Sequence, residues 1–191
     1  MSDARYAAYH EAGHAVAAAA LGFPFRTSGI HIDRDGKGAT LIVRPSRELS
    51  RPFSHLQASQ TRMVIVLFAG LLAQKKFRSD SSNNSAADDE LKVQQYLEAI
   101  YRMDKTSESI ARNYLRQEAD RLVHEFWYAI TTIAEALWAK ECTTRTLDWD
   151  SALALEKTIG ASEIIDILKE WKISCSVDDC SIEDGPAAIA D

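Results

Sequence analysis

The sequence contains a run of apolar and small residues, Met63 to Ala73, that is too apolar to lie on a protein surface. Since the run is apolar almost all round a helical turn, it is typical of a helix buried on most sides. Ser50 and Pro52 supply a plausible cap and first-turn proline for this helix, which we place at about 53–78. A chain built around such a helix must cover it with other elements, and this requirement shapes the predicted fold.

Those other elements are mostly helical. Apolar residues at helical spacing predict helices at about 3–21, 86–100, 107–140, 149–158 and 162–171. Two short β-branched runs, 29–33 and 39–43, flank an Asp-Gly turn and predict a β-hairpin. The predicted fold class is therefore mainly α (α+β), a helical domain with a small hairpin or sheet beside the first helix.

Length and composition indicate one domain. The chain has 191 residues, 46% of them hydrophobic, which is enough for a sizeable core. We place a single domain at 1–172 and predict that the acidic segment 173–191, which lacks apolar periodicity, is a disordered tail. The oligomeric state is left open.

Charge and cysteine content bound the partners and the compartment. The net charge is −6 and no basic cluster occurs, so we expect no nucleic-acid partner. The apolar stretch 15–21 is too short to span a bilayer and no signal peptide is apparent, so we expect a soluble chain without a membrane partner. Cys142, Cys175 and Cys180 are odd in number and widely spaced, which favours a reducing cytoplasm over a disulfide framework.

Residues 10–14 read His-Glu-Ala-Gly-His inside the alanine-rich first predicted helix. Four residues of α-helix return a side chain to nearly the same face, so His10 and His14 can bind one metal ion. Glu11 lies beside them, where its carboxylate can take a proton from a metal-bound water. This pattern predicts a zinc site with Glu11 as general base, although two imidazoles and a carboxylate also suit iron, cobalt or nickel.

A hydrolytic zinc site usually has three protein ligands, so a third residue is required. The other histidines, His31, His55 and His124, stand outside any metal-like spacing and are predicted to be solvated or hydrogen-bonded. The acidic cluster 88–90 offers a better ligand. In a helix Asp89 shares the apolar face of Val93 and Ile100, whereas Asp88 and Glu90 do not. Asp89 is therefore the predicted third ligand, with Asp88 and Glu90 as alternatives, and a simple complement to the helix dipole remains open for all three.

Residues 8–16, Ala-Tyr-His-Glu-Ala-Gly-His-Ala-Val, resemble the active-site helix of the peptidase domain of FtsH-type zinc metalloproteases. The segments 23–32, 38–40 and 68–73 are similar to later parts of that domain in the same order, and the likeness covers about residues 4–158. Asp89 falls where the family has its Asp ligand. Two departures stand out: Gln74 replaces a usual Glu, and residues 83–88 replace the Thr-Gly that precedes the Asp ligand.

The resemblance implies a zincin-like metalloendopeptidase that hydrolyses peptides or flexible protein segments. Because we find no AAA+ ATPase module or membrane anchor in this sequence, we expect a stand-alone, ATP-independent enzyme. The family's edge strand further implies that one hairpin strand binds substrate backbone. Two alternatives remain: a metal-stabilised, catalytically inactive protein-binding module with the same fold, or another zincin family with Glu90 as ligand.

Overall fold

The computed structural model of the chain describes residues 5–33, 36–43, 53–78, 84–102, 104–146 and 153–178. In chain order, the elements are α1 (Arg5–Ala20), β1 (Phe25–Asp33), β2 (Gly38–Ile42), α2 (Phe53–Phe77), α3 (Asn84–Tyr101), α4 (Lys105–Glu125), α5 (Trp127–Ala139), β3 (Thr143–Thr146), β4 (Leu153–Ile159), α6 (Ala161–Glu170) and β5 (Val177–Asp178). The fold is mainly helical with a small sheet, which confirms the predicted class.

Helix α2 forms the centre of the core, as its sequence predicts. Every residue from Met63 to Ala73 is buried except the half-buried Leu72, and the helix packs against α1, α3 and α4. Contact with α1 is close because Gly13 faces Ala73. A Cβ on Gly13 would lie 2.6 Å from the Ala73 Cβ and 2.7 Å from the Ala69 carbonyl oxygen. Small residues thus bring α1, which carries residues 10–14, directly against α2.

A glycine ends α1 and turns the chain into the sheet. Gly22 has a φ of 78°, and the Phe23 N–H donates to the Ala18 carbonyl at 2.9 Å, which is the usual pattern of a glycine-terminated helix. Strand β1 follows and pairs with β2 on one side and β4 on the other, both antiparallel. Since the strand order is β2-β1-β4-β3, β2 is an edge strand, and it packs beside α1.

Two sequence predictions were wrong. The helix predicted at 107–140 is two helices that meet at Phe126, whose φ of −106° and ψ of 25° break the helical path. The apolar spacing continues through this break, so periodicity alone does not reveal it. The helix predicted at 149–158 is also incorrect, because Leu153–Ile159 is strand β4. Its local helix formers are overridden by pairing with β1, where Ile159 lies opposite Ile30, and with the unpredicted β3.

The predicted end of the domain falls between residues 172 and 173. Ile173 is buried, and Val177–Asp178 pairs in parallel with Phe25–Arg26, so the chain after residue 172 continues into the core and joins the sheet. The rest of the predicted tail, 179–191, lies outside the described residues. Among the helices that the structure describes, none has the length and apolar character needed to cross a membrane. Cys142 and Cys175 are free thiols, and the cytoplasmic location stays a prediction.

Candidate metal centre

Three buried side chains from two helices bring their ligand atoms together. The Nε2 atoms of His10 and His14, both on α1, lie 3.0 Å apart, and each lies 2.9 Å from Oδ2 of Asp89 on α3. All three residues are less than 9% exposed. The four-residue spacing on α1 therefore has the predicted effect, and the phase of α3 presents Asp89 to both rings.

Helix α2 fixes the orientation of the His14 ring. Its Nδ1 lies 2.8 Å from the Val66 carbonyl oxygen, and a carbonyl oxygen only accepts, so Nδ1 carries a proton and donates it. In the neutral ring this leaves the Nε2 lone pair facing the cluster. Gly70 makes room for the ring, because a Cβ there would lie 2.3 Å from His14 Cε1. The Val66 carbonyl and the lack of a side chain at Gly70 together set the orientation of the His14 ring.

Tyr9, the residue before His10, attaches α1 to α5 and to the end of α2. The Tyr9 hydroxyl donates to Glu135 at 2.6 Å, and the Tyr9 ring stacks on Phe77 with centroids 3.9 Å apart. Arg5 also pairs with Glu135. Next to this anchor, the His10 ring is buried edge-on to His14, and its Nδ1 has no hydrogen-bond partner among the described residues. The only described polar contacts of the His10 side chain are therefore those of Nε2 within the cluster.

The structure distinguishes among the three candidate acids. Asp89 is 4% exposed and lies in the cluster, whereas Asp88 is exposed at the cavity. Glu90 points elsewhere and accepts from Arg112 at 3.1 Å. Of the remaining histidines, His31 is half-buried on β1, His124 is exposed and donates to the Asp120 carbonyl, and the His55 side chain lies outside the described part of the chain. Asp89 is thus the acid that the geometry favours.

The three residues fit a metal ion. Two ligand atoms on a tetrahedral zinc ion, each about 2.0–2.1 Å from the metal, lie about 3.3–3.4 Å apart. The three distances here, 2.9, 2.9 and 3.0 Å, are within a few tenths of an ångström of that value. Two imidazoles and a carboxylate are also a common donor set for divalent transition metals. Across the residues that the structure describes, this is the group of His, Cys, Asp and Glu side chains that could hold a metal ion.

In the metal-free protein a proton on His14 supplies the positive charge that a metal ion would otherwise bring to the cluster. Burial alone lowers the pKa of His14, but the hydrogen bond and negative charge of Asp89 outweigh it and raise that pKa to about 9. Burial likewise acts to raise the pKa of Asp89, yet both histidines hold it well below its usual range. Asp89 and a protonated His14 therefore form a buried ion pair.

This pair predicts an unusual pH dependence of stability in the chelator-treated protein. The stabilisation is fully present below about pH 6.5, the unfolded-state pKa of histidine, and is lost as pH rises through about 9. The Asp89 contribution is constant in this window, because its lowered pKa affects only acidic solutions. We expect the free energy of unfolding in urea to fall by about 2–3 kcal/mol from pH 6.5 to 9.5. With excess zinc the slope should reverse, because protons compete with the metal. A flat profile with chelator would contradict the ion pair.

Glu11 is positioned by the edge strand. The Thr40 hydroxyl lies 2.8 Å from Glu11 Oε2 and 2.9 Å from the Glu11 carbonyl oxygen, so it can donate to either. Gly38 lies against the same side chain, since a Cβ there would be 2.7 Å from Glu11 Cγ and 2.9 Å from Oε1. Strand β2 thus confines the carboxylate beside the cluster.

A cavity of about 320 Å³ opens onto the cluster and Glu11. Strand β2 forms one side, and Ile42, Met63 and Leu67 give it an apolar wall. Lys37 and Lys92 also line it. The cavity places an edge strand, a carboxylate and a candidate metal site within reach of one bound molecule.

Several residues of this site could not be assigned from the sequence. Gly38, Thr40 and Gly70 lie in segments quoted for their family resemblance, but their contacts with Glu11 and His14 depend on how the elements pack. Val66 acts through its backbone carbonyl, so its role cannot be recognised from the residue type.

The chain as a whole matches no protein-family model and no curated protein.

Proposed function

We propose that the protein is a zinc metallopeptidase that hydrolyses peptide bonds in peptides or flexible protein segments. One observation supports this most: the convergence of His10, His14 and Asp89 in a cavity that also holds the buried Glu11 carboxylate. A structural zinc site would need a fourth side chain, and none joins the group among the described residues. The resemblance of residues 8–16 to FtsH-type peptidases agrees with this proposal.

Each residue has a defined part in the proposed reaction. His10, His14 and Asp89 would hold the zinc ion, which when bound would polarise a scissile carbonyl and make water a stronger acid. Glu11 takes the proton from the attacking water and passes it to the departing amine nitrogen. Thr40 holds one carboxylate oxygen of Glu11, so the base is oriented before substrate binds. The proton thus moves from water to amine by way of one side chain.

Strand β2 is the proposed binding edge for the substrate backbone. Its outer edge pairs with no described strand, and Gly38, Ala39, Thr40 and Ile42 line the cavity. An extended peptide can add to such an edge through main-chain hydrogen bonds. Because an added strand must be extended, the proposal favours peptides and unfolded segments over folded proteins.

The test is cleavage of an unstructured peptide library by zinc-loaded protein, followed by mass spectrometry. Zinc-dependent products that disappear with chelator are expected. If chelator lowers the melting temperature but zinc-loaded protein cuts no peptide, the protein is instead a metal-stabilised binding module.

The assignment of the third ligand is tested by three matched alanine variants. Asp89→Ala should lower zinc affinity by at least about 100-fold, since it removes one of three ligands and leaves the remaining site open. Asp88→Ala and Glu90→Ala should bind zinc as the parent protein does, because Asp88 is exposed and Glu90 pairs with Arg112. Equilibrium competition with a zinc indicator measures all three, and a larger loss for Glu90→Ala would favour the alternative zincin arrangement.

A further inference from the structure

The two oxygens of Asp89 have different partners. Oδ2 faces the two histidine rings, while Oδ1 accepts from the Lys92 ammonium at 3.1 Å. Lys92 is three residues further along α3, so both side chains lie on the same face of the helix. The Lys92 side chain is 44% exposed and the Asp89 side chain 6%. A partly exposed cation therefore holds the outer oxygen of a buried carboxylate.

Because Oδ1 and Oδ2 have different partners, the way in which Asp89 can bind an ion in the cluster is restricted. A carboxylate can bind a metal through one oxygen or through both, and the second oxygen takes up a position that water or substrate would otherwise use. Catalytic zinc sites keep such a position available, whereas closed sites are structural. A group that occupies Oδ1 thus favours a site that can react.

We propose that Lys92 is a positioning residue that makes Asp89 a one-oxygen ligand. This inference rests on the proposed metal site and deepens it. Lys92 acts on the site through Asp89, by donating to Oδ1. Lys37 lines the same cavity but makes no described contact with the cluster; its backbone N–H donates to Asp33. It is therefore a matched control for the general effect of a lysine charge in the cavity.

The experiment uses the full chain loaded with Co²⁺ in place of zinc, because visible absorption by Co²⁺ is strong in four-coordinate sites and weak in sites of higher coordination. Lys92→Met should weaken the absorption per bound ion without weakening Co²⁺ binding, as the carboxylate then binds through both oxygens. Peptide cleavage by the zinc-loaded variant should fall roughly 10- to 100-fold in kcat/KM, mainly in kcat. Lys92→Arg keeps a cationic donor at this position and should show the parent spectrum. Lys37→Met should show the parent spectrum as well.

The outcomes separate this inference from the proposed function. If Lys92→Met has the same Co²⁺ spectrum as the parent protein, the proposed role of Lys92 is wrong. It is also wrong if Lys37→Met changes the spectrum as much as Lys92→Met does. Weaker Co²⁺ binding by Lys92→Met with an unchanged spectrum would show a merely structural role and also overturn it. A four-coordinate parent spectrum without any peptide cleavage would contradict the peptidase proposal alone.

Discussion

Replacing Glu11 by Gln is expected to reduce peptide cleavage by about 10²- to 10⁴-fold while zinc content is unchanged. Gln has nearly the same shape as Glu, and its amide oxygen can still accept from Thr40. It cannot, however, take up a proton near neutral pH. The expected result is a fall in kcat at constant metal stoichiometry, measured with a fluorogenic peptide and by metal analysis of the same sample.

The matched control for this variant is Glu90→Gln on α3. Glu90 pairs with Arg112 and is not among the residues that line the cavity. The same chemical change there should leave cleavage within about twofold of the parent, as expected for a surface substitution. Unchanged cleavage by Glu11→Gln would falsify the assignment of Glu11 as general base.

Substituting Ala for Gly70 is expected to weaken zinc binding although no ligand is changed. In most helices a Gly to Ala change stabilises by about 0.5–1 kcal/mol. Here the new Cβ would lie 2.3 Å from His14 Cε1 and 2.5 Å from Nε2. The ring cannot retreat without losing its hydrogen bond to Val66, so zinc affinity should fall at least about 10- to 100-fold. The free energy of unfolding of the metal-free protein should fall by about 1–3 kcal/mol.

A second substitution tests whether the clash with His14 is the cause. In the double variant Gly70→Ala/His14→Ala the ring is gone, so the added methyl group has space. Gly70→Ala should therefore cost less stability in the metal-free His14→Ala background than in the metal-free parent protein, which is a favourable coupling that a double-mutant cycle measures. If the two effects simply add, the loss in Gly70→Ala arises elsewhere in α2.

The parts of the fold that could be predicted from sequence are those with a local cause. The apolar run at 63–73 and the Gly22 stop depend on residues adjacent in the chain, and both helices appear where expected. The choice of Asp89 over its neighbours also came from local phase, because one helix face must be buried. Strand β4 could not be recognised in this way, since Leu153–Ile159 is a strand only through its pairing with β1 and β3.

The site divides along the same line. The spacing of His10 and His14 is a property of one helix, so the convergence of the two rings could be predicted from sequence. The groups that contact His14 and Glu11 come from elements distant in sequence: Val66 and Gly70 on α2, and Gly38 and Thr40 on β2. Only the packing of those elements against α1 reveals their roles.

The most direct test of the proposed zinc site is an anomalous difference map at the zinc absorption edge, from crystals grown with zinc. We expect one strong peak within about 2.0–2.2 Å of His10 Nε2, His14 Nε2 and a single oxygen of Asp89. Crystals of fully folded, zinc-treated protein with no peak between these three atoms would contradict the proposed zinc site.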